Sequence, residues 1–110
     1  VSHLSSYHVH LKNPIKTNQI MNIYKHSTKD KTNIYFHQHN LIADAGHLPK
    51  LLSFFLLMDV DEPVLMIIDG ENAAGTYEVI LNEFNEAIDN ISCRTQYDPA
   101  QIYQCASITV

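Results

Sequence analysis

The five residues Val64-Leu65-Met66-Ile67-Ile68 constrain this chain more than any other stretch. No polar side chain interrupts them, Pro63 precedes them and Asp69-Gly70 follows. A run that short and that apolar, closed by turn formers at both ends, fits a strand in the middle of a sheet, buried on both faces. Directly after it, Ala73, Tyr77, Ile80, Leu81, Phe84, Ala87, Ile88 and Ile91 fall on one helical stripe. Glu71, Glu78, Glu83 and Glu86 lie largely off that stripe, which predicts an amphipathic helix over 72–91.

The elements upstream follow from periodicity and punctuation. Ser6 to Leu11 alternates, with Tyr7, Val9 and Leu11 on one side and His8 and His10 on the other, before Asn13-Pro14 breaks the strand. Thr17 or Asn18 can cap a helix running to Thr28, with Ile20, Ile23 and Tyr24 at helical spacing. Thr32 to His39 alternates again: Ile34 and Phe36 face one side, and Tyr35, His37 and His39 the other. Asn40 turns the chain into a short return strand, Leu41 to Ala45. Gly46 to Met58 reads as a second helix, with Pro49 in its first turn and a face of Leu51, Leu52, Phe55, Leu56 and Met58.

The order β-α-β-β-α-β-α predicts an α+β domain: a four-stranded, mainly antiparallel sheet with three helices on one face. Residues 1–92 form the expected domain. Residues 93–110 form a C-terminal tail packing on it, with a short helix after Asp98-Pro99 and a β-prone end from Ser107 to Val110. Phe36, Leu52, Phe55, Met66, Ile68, Tyr77, Ile80 and Phe84 are the expected core.

The chain has 110 residues, one domain's worth, and 45% apolar residues support a core. Its net charge of −5 makes nucleic acid a poor partner. The longest apolar stretch, Leu51 to Val60, is interrupted by Ser53 and Asp59 and is too short to span a bilayer. The first twelve residues are polar and His-rich rather than a basic patch and an apolar run, so a cytoplasmic protein is expected. Cys93 and Cys105, with eleven residues between them, are either free thiols or a bridge; nothing else marks secretion, which favours thiols. There is no Gly-rich phosphate loop, catalytic triad or usefully spaced carboxylate pair, so neither an enzyme nor a cofactor is expected.

The element order and lengths, with Val64 to Asn72 leading into a long amphipathic helix, resemble HPr, the phosphocarrier of the sugar phosphotransferase system. The likeness spans Ser6 to Ile91, about four fifths of the chain. Leu48 to Val60 looks like the family's second helix. The resemblance implies an open-faced sheet in which the first and last strands pair and the second flanks the last. In the family a Gly-Ile-His-Ala-Arg-Pro stretch opens the first helix and its histidine accepts phosphate. Pro14, Ile15, Lys16, Thr17, Asn18 and Gln19 correspond here, so Lys16 stands at the histidine position and Asn18 at the arginine position. An ammonium group is protonated near neutral pH and does not carry phosphate. A second alignment takes His10, four residues before Pro14, as the acceptor. At the family's regulatory serine stand His47, Leu48 and Pro49, with Ser53 a turn further on.

The resemblance therefore implies a non-catalytic regulatory or protein-binding module whose partners are phosphotransferase components or a regulator. Its rival is a divergent phosphocarrier in phosphoenolpyruvate-dependent sugar transport, using His10 or another histidine. Lys16, Thr17 and Asn18 are candidates to hold an anion at the head of the first helix, where free amides favour one.

Seven histidines is a large share for this length. Alternation puts His8, His10, His37 and His39 on the sheet face away from Tyr7, Val9, Ile34 and Phe36. With the apolar strand between the two His-bearing strands, Leu65 and Ile67 point the same way, beside Tyr35. This face is open to three readings: a solvated surface, a protein contact such as a homodimer interface, and a metal site. The last lacks any supporting Cys-x-x-Cys or His-x-x-x-His pattern. Self-association is expected through this face, or through the first strand as a sheet edge.

Overall fold

A computed structural model of the chain describes residues 3–30 and 32–97. Its elements are β1 (His3–Leu11), α1 (Thr17–Asp30), β2 (Asn33–Gln38), β3 (Leu41–Asp44), α2 (Leu48–Leu57), β4 (Val64–Gly70), α3 (Ala73–Glu83) and β5 (Ile88–Tyr97). The apolar run forms β4, third of five strands in the order β3-β2-β4-β1-β5. All pairings are antiparallel. β4 meets β1 from His3↔Gly70 to Val9↔Val64 and meets β2 from Asn33↔Asp69 to His37↔Leu65. Flanked on both edges, it buries Val64, Met66 and Ile68 to 2% exposure or less.

The fifth strand corrects the expected four. The helical stripe was read to Ile91, but α3 ends at Glu83 with Phe84 as its C-cap. The amides of Ala87 and Ile88 both donate to the Phe84 carbonyl, turning the chain into β5. Ile88 then lies opposite Leu11 and Ile91 opposite Val9. Pairing with a distant strand satisfies a ladder of backbone groups that a longer helix would leave open on β1, and it overrides local periodicity. As a result β1 is not the edge strand it was expected to be. The boundary expected after residue 92 falls inside β5, and the expectations for Asp98-Pro99, Cys105 and the Ser107 to Val110 end lie outside the described residues.

The helices share one core with the sheet face that carries Tyr7, Val9, Ile34, Phe36, Met66 and Ile68. Phe36, Phe54, Phe55 and Phe84 meet there with ring centroids 5.1 to 6.5 Å apart. Tyr77 of α3 stacks on Tyr7 of β1 at 4.3 Å. Of the expected core, six residues are buried, while Leu52 and Tyr77 are half-buried against the cluster. Leu56 departs outright: it is 83% exposed, and Phe54 points inward in its place. Leu51, Phe54, Phe55 and Met58 are the i, i+3, i+4, i+7 set that faces the core. α2 is apolar nearly all round, so periodicity alone did not choose its inner face.

α1 is bolted to α3 by side chains. Gln19 Nε2 donates to the Glu83 carbonyl (2.9 Å) and Asn22 Nδ2 to Glu83 Oε1 (2.8 Å). The His26 ring lies 3.4 Å from the Thr76 hydroxyl. No helix among the described residues is long and apolar enough to cross a membrane.

Candidate functional site

The head of α1 is set by a backbone arrangement rather than by a side-chain oxygen. The Lys16 carbonyl accepts from the Ile20 amide (3.1 Å), which makes Lys16 the capping residue. Gln19, three residues on, reaches back to accept from the Lys16 amide at 2.8 Å, the reciprocal half of a capping box. Lysine has no acceptor to supply the other half. Lys16, Thr17 and Asn18 are all exposed. His10 is elsewhere, in β1 opposite Asn90, on the sheet face turned from the helices.

Beside this helix head runs a groove of about 340 Å³. Pro14, Ile15, Thr17 and Ile20 line one wall, and Leu52, Phe55 and Leu56 of α2 the other. On the opposite flank of α2, Asn40, Leu41, Ile42, Lys50, Ser53, Phe54 and Leu57 line a second groove of about 240 Å³. Leu56 at 83% and Leu57 at 65% exposure stand as a ridge between the two. Two adjacent exposed leucines leave apolar surface in water on a helix that already buries three residues. Sequence reasoning missed them. The available signal was the surplus: apart from Pro49, only Lys50 and Ser53 interrupt ten residues of hydrocarbon in α2.

The sheet face turned from the helices carries the histidines in transverse rows. Ile42, His37, Leu65, His8 and Ser92 are successive partners across all five strands. Asp44, Tyr35, Ile67, Ser6 and Thr95 form the next row. His8, His10, Tyr35, His37 and Leu65 are half-buried. Burial first, then the Asp44 and Asp69 carboxylates, push the Tyr35 phenol above its usual pKa of 10.0.

Two expected members of this face are corrected. His39 occupies the β2–β3 hairpin turn with φ 54°, and its ring pairs with the Glu62 carboxylate. A two-residue connection must reverse the chain, so the alternation stops at Gln38. Ile67 points outward but is only 9% exposed, and Ser6 beside it is 3% exposed with a hydroxyl that has no partner among the described residues. Leu65, with the same strands on either side, is half-buried, so the row of Ile67 and Ser6 is the drier of the two. Ile67→Lys is therefore expected to destabilise the fold by at least ~2 kcal/mol, because it buries an unpaired charge. Urea denaturation checks this; a change within ~0.5 kcal/mol would mean that the row is solvated. No group of three or more His, Cys, Asp or Glu side chains among the described residues is placed to hold a metal ion.

Comparisons with protein-family models, with curated proteins and with solved structures find no match for this chain.

Proposed function

We propose that this domain is an HPr-like cytoplasmic binding module that does not carry phosphate, and that it docks proteins through the ground between the head of α1 and α2. The observation that carries the reading is the exposed Leu56–Leu57 ridge beside an apolar groove that reaches Thr17 at the head of α1, next in sequence to the Lys16 that stands in place of a phosphate acceptor. The adjacencies β1–β4 and β4–β2, with β3 beyond β2, support the resemblance from which the reading starts. The chemistry agrees: an ammonium group is no nucleophile near neutral pH. His10, the rival acceptor, lies in a strand with its side chain on the far side of the sheet from the helix amides. The partners that fit are phosphotransferase components or a regulator that recognises them.

Incubation with phosphoenolpyruvate, the general phosphotransferase enzyme and labelled phosphate tests this. The expected result is an unlabelled chain. Acid-labile, base-stable label on a histidine would overturn the reading in favour of a divergent phosphocarrier. The same enzyme, immobilised, provides the binding test: Leu56→Glu with Leu57→Glu should abolish retention of a chain that remains folded.

A further inference from the structure

We propose that β5 is an exchangeable strand, which can leave its own β1 and take the same place on the β1 of a second copy of this chain. Among the described residues β5 is attached on one side only. Among the described elements it packs appreciably against β1 alone, with the helices seated on other strands. Ile88 and Ile91 are half-buried, while Asp89, Asn90 and Ser92 are exposed. A strand held by one ladder, whose Ile88 and Ile91 are only half-buried, belongs to the low-stability end of a domain and opens without global unfolding.

Its ladder is also broken twice. The register with β1 shifts between Ser6 and Tyr7 and again between His10 and Leu11. The extra residue on β5 is Arg94 at the first shift and Asp89 at the second, and these are the only two formally charged residues of the strand. Each bulge interrupts pairing and increases the local twist. A twisted edge with charges at its bulges is a poor template for another chain, so the outer side of β5 is protected.

The strand beneath is the opposite. β1 is nine residues long, without Asp, Glu, Lys or Arg, and its other side is held by β4. When β5 leaves, β1 stays in the sheet and presents a row of unpaired N–H and C=O groups. The segment that matches that row best is a second β5, because it reproduces every pair and both irregularities. The hinge is the short turn from Phe84 to Ala87. Opening it costs two hydrogen bonds to the Phe84 carbonyl (2.9 and 3.0 Å), and the Lys12 amide bond to Ala87 (2.8 Å) re-forms on the partner. Exchange of an end strand across such a hinge conserves the native contacts and adds only the cost of association.

Hydrogen exchange on the unaltered chain is the first test. Amides of β5, and those of β1 that face it, should exchange about 100-fold or more faster than those of β4. Equal protection of β4 and β5 would overturn the proposal. The second test places His10→Cys and Asn90→Cys, which are direct cross-strand partners, in a chain with Cys93→Ser and Cys105→Ser. Incubated reduced at ~500 μM just below its melting temperature, this chain should form a dimer that oxidation converts to a covalent one. Oxidised first as a monomer, it should remain monomeric under the same treatment. A reduced chain that stays monomeric, or a locked chain that dimerises equally, would sink the idea. If the variant does not fold, the exchange measurement on the unaltered chain decides.

Discussion

Replacing Phe84 with Ala is expected to remove about 3–5 kcal/mol from the stability of this domain. The side chain is 2% exposed and closes the last turn of α3 onto the sheet. Its ring meets Phe55 edge-on at 5.8 Å and Phe36 at 6.5 Å. Truncation therefore removes a buried ring's transfer energy and opens a cavity among rings that cannot all move at once, since Phe36 is pinned in the sheet. For a domain of about this size the melting temperature should fall by roughly 12 °C or more. Thermal and urea denaturation measure it. A loss under ~1 kcal/mol would mean that α3 does not seat its C-terminal turn on this core.

Gln38→Ala should cost about 2–3 kcal/mol through hydrogen bonds rather than packing. Gln38 is 4% exposed at the end of β2. Its Nε2 donates to the carbonyls of Asp59 (2.7 Å) and Glu62 (3.1 Å), and its Oε1 accepts from the Asp59 amide (2.7 Å). That one side chain partners three backbone groups of the turn joining α2 to β4; truncation removes all three bonds and leaves the Asp59 carbonyl only the Glu62 amide (3.3 Å). Gln38→Glu is the sharper test. It keeps the volume and the acceptor, but at neutral pH it sets a carboxylate against two carbonyl oxygens. It should be at least as damaging as Ala at pH 7, and partly recover as the pH falls and the acid regains a proton to donate. A Glu variant as stable as the parent at pH 7 would show that the turn does not depend on this clamp. Loss of the clamp should also free the His39–Glu62 pair, which ties the β2–β3 hairpin to the same turn.

Local chemistry specifies several elements of this chain by itself. Five apolar residues between Pro63 and Asp69-Gly70 leave few alternatives to a central strand, and Val64 to Gly70 is that strand. Alternation in Ser6 to Leu11 and Thr32 to His39 identified two strands, the second one residue too long at its end, and assigned Tyr7, Val9, Ile34 and Phe36 to the core. The Asn13-Pro14 break ended the first strand where expected, but the cap of α1 is Lys16 rather than Thr17 or Asn18, and only the structure decided between Lys16 and His10 for the helix head. The inferences that held each rest on neighbours within a few residues, where backbone sterics and side-chain period act directly.

The misses share a different cause. Ile88 and Ile91 suit a helical stripe and a strand equally, and only β1, distant in sequence, resolves the tie by offering a ladder. α2 is apolar on too many sides for its sequence to name the inner one; the Phe36–Phe84 pair selects Phe54 and Phe55 and leaves Leu56 and Leu57 outside. Ile67 points where alternation predicted, yet it is buried where Leu65, two residues earlier on the same face, is only half-buried. His39 lost its place on the sheet to the geometry of a two-residue turn. Period and propensity are properties of a short window of chain. Burial, edges and exposed ridges are set by which distant segment lies alongside, and that is decided by the pairing of β1 with β5 and the seating of α2 on the phenylalanine cluster.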